Sequence, residues 1–318
     1  MNEFQFLDYI REKYALGKVG DDCAVLPQGP ETDLLITADM LVEDVDFRLE
    51  WAVPELLGHK ALAVSLSDIA AMGGSPTWAM ISIGIPDELW AKGFLERFYE
   101  GYFDLASSHG VELVGGDISR MPKYLAVDSV VGGQVTRGNA ILRSTAASGD
   151  AIFLSGSIGG AAGGLRLLEN GLRYERNESE PHRRLLLKQL RPKPELSTAN
   201  LLQQLGLVTA MIDVSDGLSS DLGHICHSSR KGAVIEADLL PIDPDLYENF
   251  SPNECLQFAL NGGEDYRLLF TAPSKAIATL TGMGAVRIGE ITSEIGRIDL
   301  VEGGNSRPID PAGYQHFS

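Results

Sequence analysis

Residues 58–76 read GHKALAVSLSDIAAMGGSP, and this stretch decides the fold because it combines a helical pattern with one misplaced carboxylate. Positions three and four apart share a helix face, which puts Asp68 in line with Leu57, Ala61 and Val64. An ionised aspartate buried there without a partner would cost several kcal/mol. We therefore expect a divalent cation beside Asp68 or, equally well, a rim position in which neighbouring backbone bonds the carboxylate.

The predicted helix spans residues 54–72, with a proline in its first turn and two glycines at its end. Around it, apolar runs bounded by turn residues predict a first half of the chain that ends near Gly138. The other predicted elements of this half are a helix over the first 15 residues, strands at 22–27, 33–41, 77–86, 111–115 and 124–135, and a long helix at 87–108.

The second half begins with the predicted strand AIFLSG at 151–156, followed by a charged stretch at 173–184 that predicts an exposed loop or a frayed helix. Beyond it, predicted helices at 195–205, 217–229, 253–260 and 274–282 alternate with strands at 209–214, 233–239, 266–272 and 285–290. Such alternation is typical of α/β folds. We predict an α/β (α+β) protein of two domains, residues 1–138 and 139–318, packed together because no long flexible linker separates them.

Composition excludes several classes of function. With 44 acidic and 26 basic residues the net charge is −18, which repels nucleic acids and anionic membranes. Three scattered cysteines predict neither a disulfide framework nor a zinc site. The N-terminal residues lack the layout of a signal peptide, and no apolar run approaches the roughly 20 residues of a membrane span. These patterns favour a soluble cytoplasmic protein.

Carboxylates recur beside small residues at the predicted strand ends, where α/β proteins bind ligands. They are Asp21, Asp22, Asp39, Asp117, Asp213, Asp216, Glu264 and Asp265. Hard oxygen ligands of this kind suit Mg²⁺ bridged to substrate phosphates. A calcium-binding EF-hand starting at Asp213 is excluded, because its sixth position would be Leu218 and its twelfth His224. A Walker loop and the protein-kinase motifs are absent from the sequence.

Two further features leave alternatives open. Residues 155–164, SGSIGGAAGG, fit a phosphate cradle at a helix N-terminus or, slightly better, tight packing of a helix on a sheet. Arg143 stands alone among small residues between the halves, as a phosphate clamp or as an isolated surface arginine. The histidines at 59, 109 and 224 have no partner spacing and receive no role.

Several motifs together resemble the thiamine-monophosphate kinase family of the aminoimidazole-ribonucleotide synthetase (PurM-like) superfamily. In chain order they are GDDCAV, ITADMLVEDVDF, KALAVSLSDIAAMGG, VGGDISR, IDVSDGLSSDLGHI, NGGEDYRLLF and the terminal GYQHF. The resemblance implies an N-terminal mixed-sheet domain for ATP binding and dimerisation, a C-terminal α/β domain and a homodimer. It also implies that ATP and thiamine monophosphate give ADP and thiamine diphosphate by direct in-line transfer with several Mg²⁺ ions.

The resemblance carries roles onto individual residues. The implied metal ligands are Asp22, Thr37, Ala38 through its carbonyl, Asp39, Asp68, Asp117, Asp213 and Asp216. The implied ATP contacts are Tyr99, Gly116, Asp117, Arg143 and Ser215. The implied contacts to thiamine monophosphate are Asp46, Glu264 and Tyr314, of which the last two suit a cationic thiazolium ring.

This sequence departs from the family pattern at two of these positions, with Asp46 where many relatives carry histidine and Ala38 where several carry threonine. A general base receives no assignment, because a phosphate acceptor is already ionised near neutral pH. Two alternatives stay open. One is another enzyme of the superfamily that activates an amide, selenide or carbamoyl group, and the other is a non-catalytic nucleotide-binding regulator.

Overall fold

A computed structural model describes residues 3–174 and 179–314. The first half forms a five-stranded sheet whose strands are β1 (Ala24–Gln28), β2 (Thr32–Val42), β3 (Ser75–Ile85), β4 (Glu112–Arg120) and β5 (Ala126–Thr136). Their spatial order is β1-β2-β5-β3-β4, with β3 and β4 parallel and the other pairs antiparallel. The accompanying helices are α1 (Glu3–Lys13), α2 (Pro54–Ala71), α3 (Asp87–Trp90) and α4 (Phe94–His109).

The second half forms a seven-stranded mixed sheet in the order β12-β11-β8-β10-β6-β9-β7. Its strands are β6 (Asp150–Leu154), β7 (Ala210–Asp213), β8 (Gly232–Glu236), β9 (Leu268–Pro273), β10 (Val286–Thr292), β11 (Ile298–Glu302) and β12 (Asn305–Pro308). Its helices are α5 (Gly160–Glu169), α6 (Glu180–Leu190), α7 (Leu196–Leu205), α8 (Leu218–Ser229), α9 (Pro252–Asn261) and α10 (Ile277–Gly282). The mixed α/β fold is therefore confirmed.

Helix α2 lies between the two halves and packs against α4, β2 and β5 on one side and against α7 and β7 on the other. Fourteen of its eighteen residues are buried, so the expectation of a single apolar face is wrong. Glycines permit this close packing, since a Cβ on Gly58 would lie 1.8 Å from the carbonyl oxygen of Phe98. Asp68 is half-buried, and it faces the junction between the halves.

Several predicted elements need correction. The long helix at 87–108 is two helices, because Gly93 between α3 and α4 takes a left-handed φ of +67°. Strand β4 runs through Asp117 instead of ending before it, and Asp39 likewise lies inside β2 and not at its end. Strands β11 and β12 were not predicted. Within the stretch at 173–184, residues 175–178 lie outside the described residues and α6 starts at Glu180.

One face of the first sheet is covered by helices and the other is apolar but open. Residues such as Leu35 and Val131 point to the helix side and are fully buried. On the opposite side Met40 is 61% exposed and Met80 is 39% exposed. The ring of Trp78 lies against the backbone of Gly132 on this face. None of the helices within 3–174 and 179–314 is both long and apolar enough to cross a membrane.

Candidate active site

Three carboxylates from distant parts of the chain meet at the junction of the halves. Asp22, Asp68 and Asp213 each offer an oxygen, and these oxygens lie within 4.8 Å of one another. Asp22 precedes β1, Asp68 belongs to α2 and Asp213 ends β7. The hydroxyl of Thr37 donates to Asp68, and the hydroxyl of Ser67 donates to Asp213. Hence the rim alternative for Asp68, with backbone as its partner, does not describe this site.

Burial and mutual repulsion make the charged form of this acidic cluster costly. Burial, reinforced by neighbouring carboxylates, raises the pKa of Asp68 well above its usual value. The same causes raise the pKa of Asp213 to about 7 and that of Asp39 to about 6. A bound cation would favour the ionised forms and remove the repulsion.

The cluster and its surroundings fit a hard divalent cation. Asp39 approaches the cluster from β2, and its Oδ2 atom is buried with no hydrogen-bond partner among the described residues. An unpartnered buried carboxylate oxygen is costly, and a metal ion would satisfy it. The neighbouring residues are Thr37, buried on the helix side of β2, and Ala38, whose side chain points to the open face. Mg²⁺ takes such oxygen donors together with substrate phosphates.

Arg143 lies in a short 3-10 helix beside the acidic cluster and is not an isolated surface arginine. Its guanidinium donates to both carboxylate oxygens of Asp22, and its backbone N–H donates to Asp21 at 2.8 Å. Although burial opposes its charge, the Asp22 carboxylate raises the pKa of Arg143 above its usual value. Burial also raises the pKa of Asp21 to about 6. The arrangement holds one fixed positive charge against the cluster.

Two of the predicted metal ligands lie apart from the three clustered carboxylates. Asp216 forms a second group with Asp221 and His224, whose ligand atoms also lie within 4.8 Å of one another. The pairing of His224 with Asp221 was missed although the two lie three residues apart on the predicted helix, and Asp216 joins them from the turn that precedes α8. Asp117 is exposed on β4 and accepts a hydrogen bond from the Ser119 hydroxyl at 3.1 Å. No contact among the described residues joins Asp117 to the acidic cluster.

A cavity of about 640 Å³ brings together the three residues predicted to bind the acceptor. Asp46, Glu264 and Tyr314 line it together with Ser215 and Asp39, and Asp39 is a charged neighbour of Asp68 in the acidic cluster. The Asp46 carboxylate accepts the backbone N–H of Val42 at 2.7 Å, and the Tyr314 backbone N–H donates to the Asp216 carbonyl at 3.1 Å. Residues 315–317 of the predicted GYQHF motif lie outside the described residues.

Glu264 is not a free acidic neighbour for a cationic ring, as its position in the sequence suggested. Lys60 of α2, only 3% exposed, places its Nζ 2.5 Å from one Glu264 oxygen. The side-chain amide of Gln189 on α6 donates to the other. Sequence reasoning missed both partners. The sequence did contain a signal for Lys60, since it lies eight residues before Asp68 on the same helix face. It contained no signal for Gln189.

Three of the five predicted nucleotide contacts, Tyr99, Gly116 and Asp117, lie in the first half of the chain. Tyr99 lies on α4 in a group of rings with Tyr102 and Phe103, and no contact among the described residues joins it to the cavity or the acidic cluster. Gly116 lies in β4 at a φ of +153°, and a Cβ there would lie 1.9 Å from the Ile81 carbonyl oxygen. A side chain at position 116 would therefore force β3 and β4 apart.

The glycine-rich stretch at 155–164 serves packing. A Cβ on Gly164 of α5 would lie 2.1 Å from the Leu185 carbonyl oxygen, so α5 and α6 approach closely only because glycine is there. At the start of α5 the Asp265 carboxylate already accepts the backbone N–H groups of Gly159 and Ala161. With those donors occupied, the alternative of a phosphate cradle at this helix end is wrong.

Comparison with known proteins agrees with this architecture. Residues 20–146 match the family model for the N-terminal domain of AIR synthase related proteins, and residues 147–300 match its C-terminal domain. The two sheets and the site between them thus define an AIR synthase related protein.

Relatives within this class narrow the assignment. The thiamine-monophosphate kinase of Escherichia coli (strain K12) is 38% identical over 308 residues, which cover 94% of this chain and 91% of that protein. The thiamine-monophosphate kinase of Bacillus subtilis (strain 168) is 34% identical over 306 residues, which cover 94% of this chain and 93% of that protein. A solved structure described as AaThiL complexed with AMPPCP and TMP aligns with a TM-score of 0.89 at 31% identity, covering 99% of this chain and 97% of that chain. The chain belongs to the thiamine-monophosphate kinase family.

Proposed function

We propose that this protein transfers the γ-phosphoryl group of ATP directly to thiamine monophosphate, giving ADP and thiamine diphosphate. The observation that carries the proposal is that Asp39 lines the cavity together with Asp46 and Glu264 and also lies beside the cluster of Asp22, Asp68 and Asp213. Phosphoryl transfer needs positioning and charge neutralisation more than proton transfer. A family whose relatives carry this activity supports the same reaction here.

The reaction brings two anions together, which explains why the site is acidic. Mg²⁺ bound by Asp22, Asp39, Asp68 and Asp213 would neutralise the phosphates and polarise the transferred group. The protein's own part is to hold those carboxylates in place, which the hydroxyls of Thr37 and Ser67 do by hydrogen bonding. We propose Thr37, Ala38, Asp117 and Asp216 as further ligands to metals that arrive with the nucleotide.

Arg143 supplies a fixed cation next to the metal ligands. Its guanidinium already pairs with Asp22, so it holds that carboxylate in orientation and leaves its outer edge for a nucleotide phosphate. We propose that Tyr99, Gly116, Asp117 and Ser215 complete the nucleotide site. The acceptor phosphate is ionised near neutral pH, so the step requires no general base.

We also propose a homodimer formed through the open face of the first sheet. Met40 and Met80 expose apolar surface there, which a second copy of the sheet would cover. The three cysteines form no disulfide, which supports our proposal of the cytoplasm as the compartment.

The test is an assay of purified protein with Mg²⁺, ATP and thiamine monophosphate, in which products are separated by chromatography. We expect thiamine diphosphate and ADP in equal amounts, and label from the γ-phosphate in the thiamine product without a labelled protein intermediate. ATP consumption without thiamine diphosphate would refute the proposed acceptor. Persistence of transfer after complete chelation of Mg²⁺ would refute the proposed metal.

A further inference from the structure

The strongest unexplained feature outside the acidic cluster is the buried amide of Gln189. This residue on α6 is 4% exposed and lines the acceptor cavity, yet its Oε1 atom has no hydrogen-bond partner among the described residues. Buried polar atoms in folded proteins are nearly always bonded. An unpartnered acceptor that lines a ligand cavity points to a donor on the ligand.

The orientation of the Gln189 amide is fixed by its neighbours. Lys60 occupies one oxygen of Glu264 and the Gln189 Nε2 group occupies the other. A carboxylate paired with an ammonium accepts hydrogen bonds and does not donate them. The amide nitrogen must therefore face Glu264, which leaves Oε1 as an acceptor on the opposite side.

The chemistry around Gln189 favours a neutral N–H donor over a cation. The buried Lys60 already forms an ion pair with the half-buried Glu264, so an added positive charge would face the ammonium group. A small cavity of about 20 Å³ lies beside Gln189, Lys60 and Trp51. That volume accommodates a group of the size of one water molecule, which is also the size of an amino group.

The distance from Asp68 in the acidic cluster to Lys60 beside Gln189 matches the length of the acceptor molecule. Lys60 and Asp68 lie eight residues apart on one face of α2, which is about 12 Å along the helix axis. The acceptor phosphate must lie near Asp68 for transfer to occur. In thiamine monophosphate the aminopyrimidine ring is at the opposite end from the phosphate, so an extended molecule places that ring near Gln189 and Trp51.

We propose that Gln189 is a specificity-determining residue whose Oε1 atom accepts a hydrogen bond from the exocyclic amine of the aminopyrimidine. The inference rests on the proposed function and adds to it the residue that recognises the aminopyrimidine ring. Lys60 and Glu264 act as positioning residues, because they hold the amide in the required orientation.

The test compares thiamine monophosphate with the analogue in which hydrogen replaces the exocyclic amine. For the wild type we expect kcat/KM to be roughly tenfold or more lower with the analogue. Gln189→Met keeps the side-chain volume and removes the hydrogen-bond acceptor. It should raise KM for thiamine monophosphate roughly tenfold and leave KM for the analogue unchanged. The preference for thiamine monophosphate over the analogue should therefore disappear. Gln204→Met, on an exposed glutamine of α7 that lines neither cavity, is the matched control and should keep the preference.

The outcomes separate the possible failures. Equal use of both acceptors by the wild type would overturn the role of Gln189, whether or not the Gln189→Met variant folds. A parallel loss with both acceptors in that variant would overturn it too, since it would indicate a structural effect or a water molecule in the small cavity. If the wild type forms no thiamine diphosphate at all, the proposed function itself fails and this inference fails with it.

Discussion

Replacing Asp68 by asparagine should make the metal-free protein more stable while abolishing its response to Mg²⁺. The three clustered carboxylate oxygens lie within 4.8 Å of one another, and at an effective dielectric constant near 20 each charged pair repels by about 3.5 kcal/mol. The variant removes two of the three pairs. Because the raised pKa values already let protons neutralise part of this charge, we expect a net gain of about 1–2 kcal/mol at pH 8.

The assay is denaturant unfolding in chelator and in excess Mg²⁺, with turnover measured in parallel. The wild type should gain about 2.7 kcal/mol at a metal concentration one hundred times its dissociation constant, whereas Asp68→Asn should gain little. Its turnover should fall at least about a hundredfold. Asp150→Asn is the matched control, because Asp150 is a buried aspartate that accepts hydrogen bonds from Ala147 and Thr209 away from the cluster.

The control should lose stability and keep both its Mg²⁺ response and its activity. A metal-free Asp68→Asn protein that is less stable than the wild type would refute the argument from repulsion. Near wild-type turnover in that variant would refute the assignment of Asp68 as a metal ligand.

We expect four further results, one for the wild type without Mg²⁺ and three for variants at Gly164, Arg143 and Met40. Chelation of Mg²⁺ should lower the Tm of the wild type in a calorimetric scan, and an unchanged Tm would count against a resident metal. Gly164→Ala should destabilise the fold by about 2 kcal/mol, because its Cβ would meet the Leu185 carbonyl oxygen, while Gly17→Ala, with open space around it, should be near neutral in denaturant unfolding. Arg143→Lys should raise KM for ATP roughly tenfold and leave KM for thiamine monophosphate unchanged in steady-state kinetics, since lysine cannot replace the two-pronged contact. Met40→Lys should shift the protein toward a monomer in light scattering, and an unchanged mass would argue against dimerisation through that sheet face.

The sequence predicted local features well where one signal dominated. Helix α2 and its bounds followed from spacing and from its terminal proline and glycines, and Asp68 stood out because a carboxylate conflicted with an apolar pattern. The division into residues 1–138 and 139–318 stays a prediction, as do the roles of the individual site residues. The apolar pattern could not indicate that α2 is also covered on its second side. That side packs against α7 and β7, which lie much later in the sequence.

Long-range pairing explains the remaining misses. Gln189 and Lys60 meet at Glu264 although they are far apart in the sequence, and no local pattern around Gln189 predicts the contact. The Asp265 carboxylate occupies the start of α5 from a loop more than a hundred residues away. In both cases side chains from the second half satisfy groups whose local sequence left their partners open.

The burial of α2 between the halves also constrains how the chain is made. A polypeptide growing on the ribosome completes α2 at residue 71, but α7 and β7, which cover its second side, are finished only at residue 213. Until then one apolar side of the helix remains open to water and to other chains. Over the same interval Asp22 and Asp68 stay hydrated, and they come close to Asp213 only when β7 arrives. Because β7 forms late, the three carboxylates come together only when the part of the fold that can bind a cation is nearly complete.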